Sequence, residues 1–533
     1  MEMHPATLWE AISDEVPHRL AIVQGPIRRT WREFDDRAAC LAGMLTAYGI
    51  GAGAKVGQLL YNSPEFLETY FAALKLRAVP FNINYRYTAE ELAYILSNAD
   101  TDVLVYHSSL ADVVTEALRF AGTSPVLIEV DDDGAGSSAS VRYEDAIAQA
   151  EPQPRIERDA DDVTMIYTGG TTGMPKGVVA KVGPALANLL ESVPPLFGYR
   201  PVAVDDVAAF TATLDTVGDV MISLPAPPLM HNTGLGIGAT PALAIGGTVV
   251  LQKGRRFDAD ELWDTVVAER VNAITIVGDA FARPMLAALT ADPSRDLTCV
   301  RAVSSSGAMF SNEVKAGLLK HMPQAMIIDI IAASEGTIGM SIATADTPAA
   351  TGRFTPAAGV IIIDEQGRPL EAGSSEPGLV ALPGGAEGYY KDDAKTAATF
   401  RIIDGRRYTI PGDFATVDAD GSLTLLGRGS SCINTAGEKV YPEEVEEILK
   451  AQPGVEDALV FGIEDDRFGQ KVAAVVSFTS DLVDIDELLG QARLKLAAYK
   501  LPRAVVVVDD VPRTQVGKAD YPAARRLFAE ASD

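Results

Sequence analysis

The first quarter of the chain alternates two apolar periods, and that alternation limits the possible folds more than any other feature of the sequence. "RLAIVQG" (19–25) reads as a strand, and "TWREFDDRAACLAGMLTAYG" (30–49) as an amphipathic helix that Thr30 can cap and Gly49 can end. "KVGQLLY" (55–61) is again a strand. "SPEFLETYFAALKLR" (63–77) is a helix with Ser63 at the N-cap and Pro64 at the first helical position. "AVPFNIN" (78–84) returns to a strand. Thr88 and Glu91 then form a candidate capping box for "AEELAYILSN" (89–98), and "DVLVYH" (102–107) follows as a strand. Strand, helix, strand in this order predicts an α/β fold with a doubly wound sheet.

The length, 533 residues, exceeds what one core holds, so two or more domains are expected. After about residue 345 the texture changes to short strands and turns: "GVIIIDEQGRPL" (359–370), "GLVALPGG" (378–385) and "FATVDADGSLTLLG" (414–427). These predict a small β-barrel subdomain at about 345–427, closing a large N-terminal domain of residues 1–428. Beyond it, "PEEVEEIL" (442–449) reads as a capped helix, and "EDALVFGI" and "KVAAVVSF" as strands of a small, mobile α+β domain spanning 429–533. The stretch 131–140, "DDDGAGSSAS", is a polar surface loop.

Charge narrows the function. There are 45 Lys and Arg against 73 Asp and Glu, a formal net charge of -28, which repels nucleic acid and anionic lipid. A local basic site for an anionic ligand stays open. Cys40, Cys299 and Cys432 match no metal or redox spacing, and a reducing cytoplasm is expected. The acidic N-terminus lacks a signal-peptide core, and apolar runs such as 236–251 carry Gly and Pro, so no integral membrane segment is expected. Oligomeric state is not readable.

The segment "YTGGTTGMPKG" (167–177) follows the apolar "VTMI" and holds four glycines, three threonines and one lysine. Glycines let backbone N–H groups turn toward an anion, Thr168, Thr171 and Thr172 add hydroxyls, and Lys176 adds a charge. The G-x-x-x-x-G-K-[ST] pattern of ordinary nucleotide loops is not met, because Pro175 precedes Lys176 and Gly177 follows it. A Gly-rich surface turn with a solvated lysine is the plainer alternative.

Four further segments bear on the choice. "IIAASEG" puts Glu335 behind an apolar run, where a buried carboxylate needs a cation, unless it merely starts a helix. "YTIPGDFA" puts Asp413 after a Pro-Gly turn, able to accept sugar hydroxyls or to close an Asx turn. "LGRGSSCINTAGEKVYPEEVE" carries Arg428, and "PRTQVGKADY" carries Lys518; each is otherwise an ordinary exposed cation. In this order, with "PPLMHNTG" (227–234), "SSSGAMF" (304–310) and "GYYKDDAKTAATF" (388–400), the segments resemble the core motifs of the adenylate-forming superfamily. That superfamily holds acyl-CoA synthetases, firefly luciferases and nonribosomal-peptide adenylation domains. The likeness runs over nearly the whole chain. "YTGGTTGMPKGV", "VGDAFARPM", "YTIPGDFATV" and "LGRGSSCINTAGEKVYPEEVE" carry a nearer similarity to actinobacterial CoA ligases for steroid side-chain acids and fatty acids.

The resemblance implies a reaction in two halves. A carboxylic acid and ATP give acyl-AMP and pyrophosphate, and coenzyme A then displaces AMP. It also implies roles by position. Thr168, Thr171, Thr172 and Lys176 would hold the β- and γ-phosphates, and Glu335 would bind Mg²⁺. Ser334 would touch the α-phosphate region, and Gly307 and Ala308, with Ile331, would lie at the adenine. Asp413 would hold the ribose, Arg428 the ribose or phosphate, and Gly437 would line the pantetheine tunnel. Lys518 would bridge carboxylate and α-phosphate in the first half and withdraw for the second. His231, Asn232, Gly234, Asp279, Ser304 and Ile330 would line the acyl pocket. Departures from the family pattern fall at Gly169, where Ser is usual, at Ile331, where an aromatic residue is usual, and at the hinge Ser430–Ser431, where Asp, or Lys followed by Asp, is usual.

Two matters stay open in the sequence. The small residues of "HNTGLGIGAT" (231–240) fit a roomy acyl pocket or close helix–sheet packing equally well. Other readings of the whole are an acyl-AMP ligase that loads a carrier protein, and a non-catalytic ATP-binding sensor.

Overall fold

The helix Trp31–Ala47 begins where reciprocal capping lets it begin. The Thr30 hydroxyl accepts from the Glu33 N–H, and the Glu33 carboxylate accepts from the Thr30 N–H at 2.8 Å. The same box heads Ala89–Asn98 through Thr88 and Glu91. Two expected caps differ. Ser63 stands at the N-cap of Pro64–Lys75 but makes no capping hydrogen bond, and Tyr441 stands at the N-cap of Pro442–Lys450 without one. In both helices Pro occupies the first helical position, where the N–H it lacks would have no partner within the helix anyway.

The computed structural model describes all residues except 133, 135, 138, 171–172, 348–351, 429–432, 436–437, 466–468, 480–483, 494, 497, 515–517 and 533. The chain packs as two compact units. One comprises Met1–Ile276, Ser294–Ser304 and Ala386–Ala398; the other comprises Val277–Pro293, Ser305–Gly385 and Thr399–Asp533. Among the described residues no helix is long and apolar enough to cross a membrane.

In the first unit an eight-stranded sheet runs Gly388–Tyr389, Gly173–Lys181, Val163–Gly170, Val79–Asn82, Lys55–Leu59, Thr101–His107, Val126–Val130, Val141–Arg142. The last six are mutually parallel, and the first two add on antiparallel. Chain order reverses about Lys55–Leu59, which has the next strand in sequence on one side and Thr101–His107 on the other. This is the doubly wound arrangement that the alternation predicts. A second sheet runs Ile27–Thr30, Leu20–Gln24, Thr248–Val250, Ile222–Pro225, Ala273–Ile276. The helices Pro5–Glu15, Trp31–Ala47 and Pro64–Lys75 share one apolar cluster, with Trp9, Trp31, Phe34 and Phe71 in tilted and edge-on contact.

The second unit is mostly antiparallel. The hairpin Met326–Ala333/Gly336–Ala343 continues through Arg353–Pro356, Leu423–Arg428, Asp413–Val417, Gly378–Pro383, Arg406–Thr409 and Phe400–Ile403. Residues from Ile433 onward form a separate five-stranded sheet around Val455–Asp465 and Gly469–Phe478. Its two long strands bury both faces: Ala458, Val460, Val472 and Ala474 enter one apolar cluster, while Leu459, Phe461, Ala473 and Val475 enter another. Burial on both sides explains why those strands read as unbroken apolar runs.

Two histidines in the first unit serve as hydrogen-bond acceptors. His4 Nδ1 accepts from the Ala6 N–H at 3.1 Å, and His107 Nδ1 accepts from the Tyr61 N–H at 3.2 Å. Burial holds each imidazole at a pKa of about 4. Unfolded, each titrates near about 6.5, so between these values the unfolded chain binds more protons. Stability should therefore be full above about pH 6.5 and fall as pH is lowered toward about 4. His107→Gln, which keeps an acceptor, should lose part of that slope when thermal midpoints are measured across the range.

Candidate active site

In the first unit's eight-stranded sheet, the expected phosphate segment continues from the end of one of the parallel strands. Val163–Gly170 runs on into the expected phosphate segment, and Gly173–Lys181 returns antiparallel, with Thr168 paired to Lys176. The segment is thus a hairpin whose two strands carry the threonine and the lysine. Thr171 and Thr172 lie outside the described residues.

Lys176 Nζ meets Asp392 Oδ2 at 2.5 Å, and the cation holds the Asp392 carboxyl below its ordinary range. Asp392 is itself fixed by accepting the Lys395 N–H at 2.9 Å, beside the helix Asp393–Thr399. The Thr396 hydroxyl accepts from the Tyr389 N–H at 2.9 Å and donates to the Asp392 carbonyl at 2.8 Å. Tyr390 N–H donates to the Gly177 carbonyl at 2.8 Å. The motif "GYYKDDAKTAATF" therefore brings a carboxylate to the phosphate-segment lysine, a role that its residue types alone do not reveal.

Asn82, at the end of its strand, is buried and ties two segments together. Its Oδ1 accepts from the Tyr167 N–H at 2.9 Å, and its Nδ2 donates to the Tyr167 carbonyl at 3.3 Å and to the Met230 carbonyl. Asn62 repeats the device: its Nδ2 donates to the Pro227 carbonyl at 3.1 Å, and its Oδ1 accepts from the Leu229 N–H at 2.7 Å. Two amides from strand ends thus fix the backbone that leads into His231 and Asn232. Sequence reasoning missed both, although an Asn just past an apolar strand is the signal that could have found them.

The residues expected at the acyl pocket divide between the units. His231 closes a turn on the Pro228 carbonyl at 3.0 Å and accepts Leu235 N–H on its own carbonyl at 3.0 Å, ahead of the π-helical stretch Thr233–Ala239. A side-chain carbon on Gly234 would stand 2.3 Å from the Pro228 carbonyl oxygen, and one on Gly238 would stand 2.6 Å from Pro225 Cβ. Close packing therefore accounts for these two glycines. A carbon on Gly236 would meet Asn232 Oδ1 at 2.2 Å. Ser304 is a half-buried residue of the strand Ala302–Ser306.

In the second unit Asp279 is committed to structure. Its Oδ1 accepts from the Ser311 N–H at 2.9 Å and from the Ser311 hydroxyl at 3.1 Å, and Oδ2 pairs with Arg283 at 3.2 Å. Asp279 N–H donates to the Met309 carbonyl at 2.9 Å, and Gly278 lies so close that an added carbon would be 2.2 Å from the same oxygen. These contacts set the turn of Gly307 and Ala308, in which Gly307 has φ +93°, a conformation suited to glycine.

Glu335 sits with Ser334 in the two-residue tip of the hairpin Met326–Ala333/Gly336–Ala343, not at a helix start. It is only 9% exposed, and a carbon on Gly385, at φ +88°, would come within 2.2 Å of its carbonyl oxygen. The strand irregularity between Ile331 and Ala332 sets the tip; Ile331 packs onto the cluster of Ile338, Ile362 and Val380, while Ile330 stays half-buried. Asp413 is also 9% exposed and opens its strand behind Gly412, at φ +98°, in register with Arg428 on the next strand. Lys518 is exposed, on a loop whose Thr514 accepts its N–H at 3.1 Å. Gly437 and the hinge Ser430–Ser431 lie outside the described residues.

A buried carboxylate at a hairpin tip, another at a strand start and an exposed lysine on a loop are the parts that the adenylate-forming resemblance implies. The chain belongs to the AMP-binding enzyme family: residues 9–390 match that family, and residues 444–518 match the AMP-binding enzyme C-terminal domain. Among its relatives, a 3-oxocholest-4-en-26-oate--CoA ligase of Rhodococcus rhodochrous is 39% identical across 98% of this chain and 95% of the relative. A medium/long-chain-fatty-acid--CoA/3-oxocholest-4-en-26-oate--CoA ligase of Mycobacterium marinum is 38% identical across 97% of this chain and 95% of the relative. The solved structure of ATP-bound MatB from Rhodopseudomonas palustris matches with a TM-score of 0.79 at 25% identity, covering 99% of this chain and 100% of that one.

Asn82→Ala would leave the Tyr167 N–H and two buried carbonyls without this partner. Each such loss costs about 1–3 kcal/mol where water cannot enter. Chemical unfolding should show a stability lower by about 3 kcal/mol or more, and ATP affinity measured calorimetrically should fall with it.

Proposed function

We propose that this protein is an AMP-forming acyl-CoA synthetase acting on a hydrophobic carboxylic acid of the fatty or steroid side-chain class. The observation that carries this reading is likeness to CoA ligases for such acids along essentially the whole chain. Retention of Lys176, Glu335, Asp413 and Lys518 supports it.

In the first half-reaction a carboxylate oxygen attacks the α-phosphorus of ATP, the bond to the β-phosphate oxygen breaks, and pyrophosphate leaves. In the second, the coenzyme A thiolate attacks the acyl carbon, the acyl–oxygen bond breaks, and AMP leaves. The obstacle in the first is the approach of one anion to another, which fixed positive charge offsets. Lys176 would exchange Asp392 for the β- and γ-phosphates and hold them as they depart, with the Thr168, Thr171 and Thr172 hydroxyls. Lys518 would neutralise the reacting carboxylate and α-phosphate together. Asp413 would accept the ribose hydroxyls, and Gly307–Ala308 would pack on the adenine.

Glu335 offers the hard oxygen donor that Mg²⁺ prefers, and its confined position at the hairpin tip suits a carboxylate that gains a cation. When bound, Mg²⁺ would neutralise phosphate charge there. We assign residues 1–428 and 429–533 to separately moving domains, so that rotation about Ser430–Ser431 withdraws Lys518 before coenzyme A enters.

Lys518→Ala should reduce acyl-AMP formation at least about a hundredfold, while thioester formation from supplied acyl-AMP stays near the unaltered rate. Equal loss of both halves would refute the role of Lys518. A panel of fatty, aromatic and steroid side-chain acids assayed for AMP release with coenzyme A should give highest rates for the apolar acids. Accumulating acyl-AMP without acyl-CoA would refute the ligase reading.

A further inference from the structure

The loop that carries Lys518 is fastened at both ends to a half-buried polar network, and the two fastenings are different in kind. On the upstream side, Arg513 makes a forked pair with Asp457: Nε to Oδ2 at 2.8 Å and Nη2 to Oδ1 at 2.6 Å. Lys450 joins the same carboxylate at 2.9 Å, and these cations hold the Asp457 carboxyl below its ordinary range despite its burial. On the downstream side, the Tyr521 hydroxyl donates to Glu446 Oε1 at 3.2 Å, and that oxygen also accepts from the Val460 N–H at 2.8 Å.

Between these points the backbone closes on itself. Arg513 and Ala519 are bridged antiparallel, Thr514 N–H donates to the Lys518 carbonyl at 2.7 Å, and Asp520 N–H donates to the Pro512 carbonyl at 3.3 Å. Val511 is buried in the apolar cluster beneath, and Ala519 and Tyr521 pack on it. Asp457 lies on the strand Val455–Asp465, while Glu446 and Lys450 lie on the helix Pro442–Lys450. The loop is therefore referenced to two rigid elements through charged and hydrogen-bonded contacts.

Apolar packing alone would hold such a loop near the domain surface. A forked arginine–carboxylate pair adds orientation, because both nitrogens must meet both oxygens at once. We infer that the Arg513–Asp457 pair and the Tyr521–Glu446 hydrogen bond are positioning devices that fix the direction of the Lys518 side chain for acyl-AMP formation. This rests on the proposed role of Lys518. Arg513, Asp457 and Tyr521 are positioning residues, since they act through the loop and not on the substrates.

The test compares the two half-reactions in the full-length enzyme. Asp457→Asn keeps shape and removes the charge that the fork needs, and Tyr521→Phe removes a single oxygen with little risk to folding. Misplacement of about 1 Å in a catalytic group can cost up to about a hundredfold. Asp457→Asn should slow acyl-AMP formation at saturating ATP and acid by about tenfold or more, and Tyr521→Phe by about threefold or more. The KM for ATP should move less than about twofold, and thioester formation from supplied acyl-AMP should also stay within about twofold. Unchanged adenylation in Tyr521→Phe and Asp457→Asn overturns the inference, as does equal loss of both halves in proportion to a lowered Tm. If the unaltered enzyme adenylates and Lys518→Ala does not, the parent reading stands whatever these variants do. If the unaltered enzyme forms no acyl-AMP, both fall.

Discussion

The parallel sheet of the first unit is buried on both faces, and that burial dictates where chemistry can occur. Strands such as Val79–Asn82 and Thr101–His107 have almost no exposed surface, so no substrate reaches their faces. What remains is the edge where the strands end, and there the chain places Asn62, Asn82 and the 163–181 hairpin. A polar side chain at that edge faces buried backbone, so it must either satisfy that backbone or be satisfied by a ligand. Asn82 does the first for Tyr167 and Met230. Lys176, one pleat further out, remains half-exposed with a carboxylate partner that an anionic ligand can displace.

Cations of the candidate site and of the loop that carries Lys518 rest against carboxylates. Lys176 rests on Asp392, and Arg513 with Lys450 surrounds Asp457. Such pairs spare a cation the cost of standing uncompensated in a half-buried place. They also set directions, since a cation that leaves one carboxylate for a phosphate needs only a short movement. The overall charge of -28 fits this economy: excess carboxylates supply resting partners for the few cations that matter.

Much of the fold was legible in residue patterns because the signals were local. The alternation of strand and helix periods, the cap at Thr30, the box at Thr88 and the turn at Gly412 each depend on a few neighbouring residues. The failures were also local signals, but overruled. Ser63 is the right residue for a cap and stands at the N-cap position, yet its hydroxyl makes no capping bond. Glu335 follows an apolar run that could have entered a helix, yet antiparallel pairing of Met326–Ala333 with Gly336–Ala343 makes it a hairpin tip. The bonds of the Asp279 carboxylate to Ser311 and Arg283 had no local signal to announce them.

The sequence by itself determined the α/β class, the phosphate-type segment at 167–177 and the ordered motifs that resemble an adenylate-forming enzyme, because each is written in contiguous residues. Only the tertiary structure decided which partner each polar side chain meets. The bonds from Asn82 to Tyr167 and Met230, from Lys176 to Asp392, and from Arg513 to Asp457 join residues 56 to 216 positions apart. Tertiary structure likewise assigned Gly234 and Gly238 to close packing, where composition left a roomy pocket equally open. Spacing along a chain fixes period and turn, but it carries no information about which backbone oxygen will lie 2.3 Å from a missing side chain.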